Sequence, residues 1–108
     1  MSHHDAVKID VTSRHGHLSD RMADYARKKA ERLPRYNDQI SRIEIVIDGP
    51  HESPEVELIV HIDNHDHIVA KVRNQHFNAA IDEIVEKVER QLIKAKERLK
   101  DHRGESRV

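Results

Sequence analysis

The 108-residue sequence predicts an α+β fold in the order β-α-β-β-β-α, a four-stranded mixed sheet with two helices packed on one face. Three observations predict it. Four segments alternate apolar and polar residues, so each can bury only one side. Two others repeat apolar residues every three or four positions, the period of an amphipathic helix. The last three strand-like segments are joined by short turns and therefore form antiparallel hairpins. A sheet with a single apolar face must receive both helices there.

The first strand is VKIDVT, with Val7, Ile9 and Val11 set against Lys8, Asp10 and Thr12. A helix follows. Ser19 is its expected N-cap and Asp20 lies in the first turn. Leu18, Met22, Tyr25, Ala26 and Leu33 form its apolar face, and Pro34 marks its end. In SRIEIVIDGP, Ile43, Ile45 and Ile47 share one face, and Gly49 with Pro50 closes the strand. EVELIVHID places Val56, Leu58, Val60 and Ile62 inward, and NHDH makes the next turn. IVAKVR supplies Ile68, Ala70 and Val72 inward, with Val69, Lys71 and Arg73 opposite.

The second helix is written in AAIDEIVEKVERQLIKAKERLK, Ala79 to Lys100, where strong helix formers dominate and Gly and Pro are absent. Phe77, Ile81, Ile84, Val88, Leu92, Ala95 and Leu99 fall within an arc of roughly 60°, the expected buried stripe. Residues 7–100 thus make one domain. Residues 1–6 are expected to be a flexible N-terminus, and residues 101–108, DHRGESRV, lack apolar periodicity and are expected to form a disordered tail.

Composition narrows the function. With no cysteine there is no disulfide, thiolate metal site or thiol nucleophile. No apolar run approaches a membrane span and Met1 is not followed by a signal-like segment, so a cytoplasmic protein without a membrane partner is expected. Three glycines provide no phosphate-cradling loop, and no short motif fixes a nucleophile beside a base. No enzymatic activity and no cofactor are expected. Ten histidines, above all those of HIDNHDH from His61 to His67, raise the question of zinc, which needs three or four converging ligands. The polar turn imposes no such geometry, so no metal site is expected.

The formal net charge of -1 conceals a segregation. Residues 21–42 carry seven basic and three acidic side chains, residues 43–70 none and seven, and residues 71–108 ten and seven. On the long helix, Lys87, Arg90, Lys94 and Arg98 occupy a second arc, roughly 80° wide, beside the apolar one. Arg21, Lys28 and Arg32 form a similar arc on the first helix. Each arc fits a solvated flank that packs its methylenes over the core edge, helped by pairs such as Glu86 with Arg90. Two such arcs on one helical layer also fit a surface for a polyanion. Phe77 is assigned to the core and the strands contain no aromatic residue, so recognition by shape is expected over base stacking.

At this point the residues resemble a known family. Ala79 to Asp82, Lys87, Arg90 to Leu92, Lys94 and Lys96 are similar to the closing helix of the ribosome hibernation promoting factor family, also called the ribosome-associated inhibitor or sigma-54 modulation family. Val11 to His15, the LSDRM helix start, the Lys29 to Leu33 region and the element order fit the same family. The resemblance covers about residues 7–100 and corresponds to the short form. It implies a translation inhibitor of stationary phase or stress that binds the small ribosomal subunit and its rRNA and occludes the messenger and transfer RNA channel. By this resemblance Lys28, Lys29 and Arg32, together with Lys87, Arg90, Lys94 and Lys96, occupy the family's rRNA-binding positions, to which the helical arcs add Arg21 and Arg98. A second factor that promotes ribosome dimerisation is a further partner the resemblance allows. The chain departs from the family where His76, Phe77 and Asn78 replace an acidic residue and an aromatic before the Ala79 to Asp82 segment. A non-catalytic protein-interaction module, or a generic binder of structured RNA, is the alternative.

Overall fold

A computed structural model describes the backbone of residues 7–15 and 18–105 and the side chains of residues 7–15 and 18–97. Strands β1 (Lys8–Ser13), β2 (Ile40–Asp48), β3 (Glu55–Ile62) and β4 (Ile68–Arg73) form one sheet in the order β1-β2-β3-β4. β1 runs parallel to β2, whereas β2–β3 and β3–β4 are antiparallel, so the sheet is mixed. The helices are α1 (Asp20–Ala30) and α2 (Phe77–Glu105). The element order is the one the sequence predicts.

Register explains why both helices lie on one face. Val11, Ile45, Leu58 and Ala70 are paired across the four strands, and the flanking rows of Ile43 with Val60, and Ile47 with Val56 and Val72, point the same way. These strand residues share a core with Ala26, Ala30 and Leu33 and with Ala80, Ile81, Ile84, Val85, Val88 and Leu92 of α2. The opposite face carries Asp10, Glu44, Ile59 and Val69 in one row, and Val69 is 55% exposed. Because strand side chains alternate, one register fixes which row faces the helices.

Two boundaries differ from the periodicity reading. α1 ends at Ala30, and Leu33–Tyr36 form a separate 3-10 turn with Pro34 in its first positions. Proline fits there because the first amide N–H groups of a helix have no intrahelical partner. Leu33 is still fully buried, so its assignment to the core holds while its element changes. In α2 the buried stripe is wider and shorter than expected: Ala80, Val85 and Glu89 join it, and Ala95 is exposed. The eight residues of β3 span about 26 Å at 3.3 Å each. At 1.5 Å per residue, α2 covers that distance by about Leu92. Beyond Leu92 the helix outruns its sheet. The Leu99 and Arg98 side chains and residues 1–6 lie outside the described residues, and helical backbone continues past Lys100 into the segment read as a tail.

Candidate nucleic-acid interface

Ser19 begins α1 as the sequence predicts: its Oγ accepts from the Met22 amide at 3.1 Å. α1 and α2 then run side by side in the same direction, and their side chains meet in step. Tyr25 and Lys29 meet Asp82, while Arg32 and Tyr36 meet Glu89. Asp82 and Glu89 are seven positions apart, two turns on one helix face, and border the buried Val85 and Leu92.

This seam is polar and closely bonded. The Tyr25 hydroxyl donates to Asp82 at 2.6 Å, and the Lys29 ammonium lies 3.3 Å from the same carboxylate and 5.6 Å from the Tyr25 ring centre. That carboxylate holds the Tyr25 phenol above its ordinary pKa, chiefly because it accepts the phenolic proton, with partial burial and its charge adding to the effect. Two turns further along α2, Arg32 binds Glu89 through Nε at 2.7 Å and Nη2 at 3.1 Å, and Tyr36 donates to Glu89 at 3.0 Å. The hydrogen bond and charge of Glu89 raise the Arg32 pKa further above its usual range. Glu89 is 7% exposed. A buried carboxylate needs such partners to remain charged.

The seam divides the sequence-predicted cations. Lys29 and Arg32 are drawn into it. Arg90 is exposed and pairs along its own helix with Glu86 at 2.9 Å, a surface contact that is weak and readily exchanged. Arg21, Lys28, Lys87, Lys94 and Lys96 are exposed, and among the described residues the helix ion pairs engage only Arg27, Lys29, Arg32 and Arg90. Lys96 stands apart from Lys87 and Lys94, facing the 3-10 turn, where it lines a cleft of about 370 Å³ with Arg35, Tyr36 and His65. Arg35 is a cation that the sequence reading missed, since no α-helical period carries through Leu33–Tyr36.

The open sheet face has the opposite character. Its acids Asp10, Glu44, Asp48, Glu55 and Glu57 each lie near a cation: Arg42 with Asp10 at 3.1 Å and Glu44 at 3.8 Å, Arg14 with Asp48 at 3.5 Å and Glu57 at 3.7 Å, and Arg73 with Glu55 at 3.9 Å. The Gly49 amide donates to Asp48 at 2.8 Å and, with help from His15 and Arg14, holds that carboxyl below its usual range. His61 Nε2 lies 2.6 Å from Glu44, and its ring meets His67 edge-on at 4.2 Å. Among the described residues no group of three His, Asp or Glu side chains converges as a metal site requires, and no helix is long and apolar enough to cross a membrane.

A family model described as "Sigma 54 modulation protein / S30EA ribosomal protein" matches residues 9–100. The chain is 27% identical over 92 residues to a ribosome hibernation promoting factor of Azotobacter vinelandii, with 85% of each chain covered. It is 26% identical over 96 residues to that of Escherichia coli strain K12, covering 89% of this chain and all of the relative. Among solved structures, a ribosomal subunit interface protein from Coxiella burnetii superimposes with a TM-score of 0.74 at 25% identity, covering 82% of this chain and 97% of that one. The N-terminal domain of Thermus thermophilus Protein Y gives 0.68 at 25% identity, covering 77% and 91%.

Proposed function

The chain belongs to the Sigma 54 modulation protein / S30EA ribosomal protein family, and from that membership we propose that it is a cytoplasmic ribosome hibernation factor. It binds the small subunit through its helical layer and inhibits translation by filling the channel of messenger and transfer RNA. The observation that carries this reading is the partition of charge. The sheet-face arginines Arg14, Arg42 and Arg73 stand beside carboxylates, whereas Arg21, Lys28, Lys87 and Lys94 project from the helical layer without a carboxylate partner among the described residues. Unpaired cations on a rigid surface are what RNA phosphates engage. Arg90 exchanges its weak pair with Glu86 for phosphate, and Lys96 with Arg35 extends the surface beyond the 3-10 turn. Lys29 and Arg32 act mainly by fixing the two helices side by side.

Inhibition by occlusion needs no chemical step; it needs a folded body held where substrate RNA would pass. Such a protein fits entry into stationary phase or stress, when translation is suspended. The test is co-sedimentation with purified small subunits over a salt series, together with inhibition of translation in a purified system. The triple change Lys87→Gln, Arg90→Gln and Lys94→Gln is expected to weaken both while thermal unfolding stays nearly unchanged. An intact fold with both activities undiminished would refute this surface. Equal affinity for isolated RNA duplexes and intact subunits would point instead to a generic binder of structured RNA.

A further inference from the structure

Building on the RNA partner proposed above, we infer that the cleft where both helices begin is a pocket for one nucleobase turned out of an RNA strand. The cleft has a volume of about 440 Å³, within the range of small-molecule sites. It lies where the ends of β1 and β2, the β2–β3 turn and the first residues of α1 and α2 meet. Met22, Pro54 and Phe77 supply an apolar lining, and His15, His51 and His76 bring three imidazoles. Phe77 was expected in the core. It is only half-buried, packing against the core while it lines the cleft.

This combination suits a base. A purine or pyrimidine is flat, apolar on its faces and polar around its edge, and unstacked bases in RNA are held by stacking on Phe and His and by hydrogen bonds to their edges. The phenyl ring offers the stacking surface that the strands lack, and each imidazole can donate or accept at the base edge. One wall is tied in place without a ligand. Gly49 turns the chain at φ +81°, and a Cβ there would meet the Ser53 carbonyl oxygen at 3.3 Å. Arg73 Nη1 donates to that carbonyl at 3.2 Å, and the Asn74 amide donates to the Pro54 carbonyl at 3.2 Å. Arg21, exposed on α1, immediately precedes Met22 of the cleft lining in the chain.

The experiment follows the His15, His51, His76 and Phe77 ring resonances of the isotopically labelled full chain by NMR. The probes are AMP, UMP, inorganic phosphate and a short single-stranded oligoribonucleotide. The oligonucleotide is expected to shift these signals, the mononucleotides to shift the same set more weakly, and phosphate to leave the Phe77 ring unmoved. Phe77→Leu keeps the apolar volume and removes the ring, and is expected to weaken oligonucleotide binding about ten-fold. His51→Ala, on the exposed turn, gives a second variant that does not depend on the core. Unmoved resonances with every probe, or shifts by phosphate equal to those by nucleotides, would overturn the base pocket. Binding of mononucleotides with the oligonucleotide excluded would overturn an RNA strand as the source. Co-sedimentation separates this pocket from the hibernation reading: subunit binding without nucleotide shifts sinks only the pocket, and nucleotide shifts without subunit binding sink only the hibernation role.

Discussion

Arg32 grips Glu89 through two bonds, Nε to Oε2 at 2.7 Å and Nη2 to Oε1 at 3.1 Å, although 57 positions separate them in the chain. The pair joins the residue before the 3-10 turn to the middle of α2, and the Tyr36 hydroxyl completes the carboxylate's partners. A charge beside the core is thereby satisfied, and an arginine readable as a phosphate ligand becomes a fastener between helices.

Breaking this fastener should therefore show as coupling. Glu89→Gln and Arg32→Gln are each expected to lower the midpoint of thermal unfolding, and the double variant to lose less than the sum of the two, because the second change removes an interaction already broken. Strict additivity in a double-mutant cycle would show that the pair contributes nothing in solution.

Tyr25 offers a spectroscopic readout of the same seam. Its phenol should titrate above the ordinary value of about 10, because Asp82 accepts its proton in the folded protein. A raised folded-state pKa means that the proton is held more tightly when folded. The associated stability is present in full below the unfolded pKa and is lost as pH rises through the folded one. Ultraviolet titration in a Tyr36→Phe background isolates Tyr25, and Asp82→Asn should return its pKa toward the ordinary value.

The overhang of α2 predicts a contrast between two positions on one apolar stripe. Ile84 is fully buried, and Ile84→Ala should cost about 3 kcal/mol through reduced burial and the cavity left behind. Ala95 is exposed, and Ala95→Lys should stay within about 0.5 kcal/mol of the parent. Denaturant unfolding measures both, and a large destabilisation at Ala95 would mean that the end of α2 is packed.

At the start of α1, Ser19→Ala removes the acceptor for the Met22 amide and should cost about 1 kcal/mol. Ser19→Asp should restore most of it, since a carboxylate caps equally well and complements the helix dipole. A Ser19→Ala protein with unchanged unfolding would show that the cap adds no stability.

Salt dependence distinguishes the working face. Each RNA phosphate that a variant no longer neutralises should make the slope of log affinity against log salt shallower by roughly 0.7 to 0.9. Lys87→Gln and Lys94→Gln should each reduce the slope for small subunits. Lys71→Gln, on the open sheet face among Glu57 and its neighbours, should leave it unchanged. An equal effect from Lys71 would place the sheet in the interface.

Most of the fold was written in local sequence. Alternation in Val7 to Thr12 and in the three later strands marks one buried side per strand, since a strand's side chains alternate by geometry alone. The Ser19 cap, the Gly49 turn and the three-and-four spacing from Ile81 to Leu92 are likewise decided within a few residues. Lys87 and Lys94 could be read as exposed because their positions follow from helical period and nothing distant covers them.

What a helical wheel cannot contain is the neighbouring helix. Glu89 reads as a solvated acid and Arg32 as a free cation until α1 lies beside α2, and then each is the other's partner. The same applies to Phe77, which periodicity assigns to the core and the meeting of two helix starts with the β2–β3 turn leaves half-open. It applies to Ala95, which continues a perfect apolar stripe past the end of the sheet that would have covered it. Period fixes the direction in which a side chain points. Only the packed structure decides what it meets there, because the lengths and placement of the other elements are set by contacts far apart in the chain.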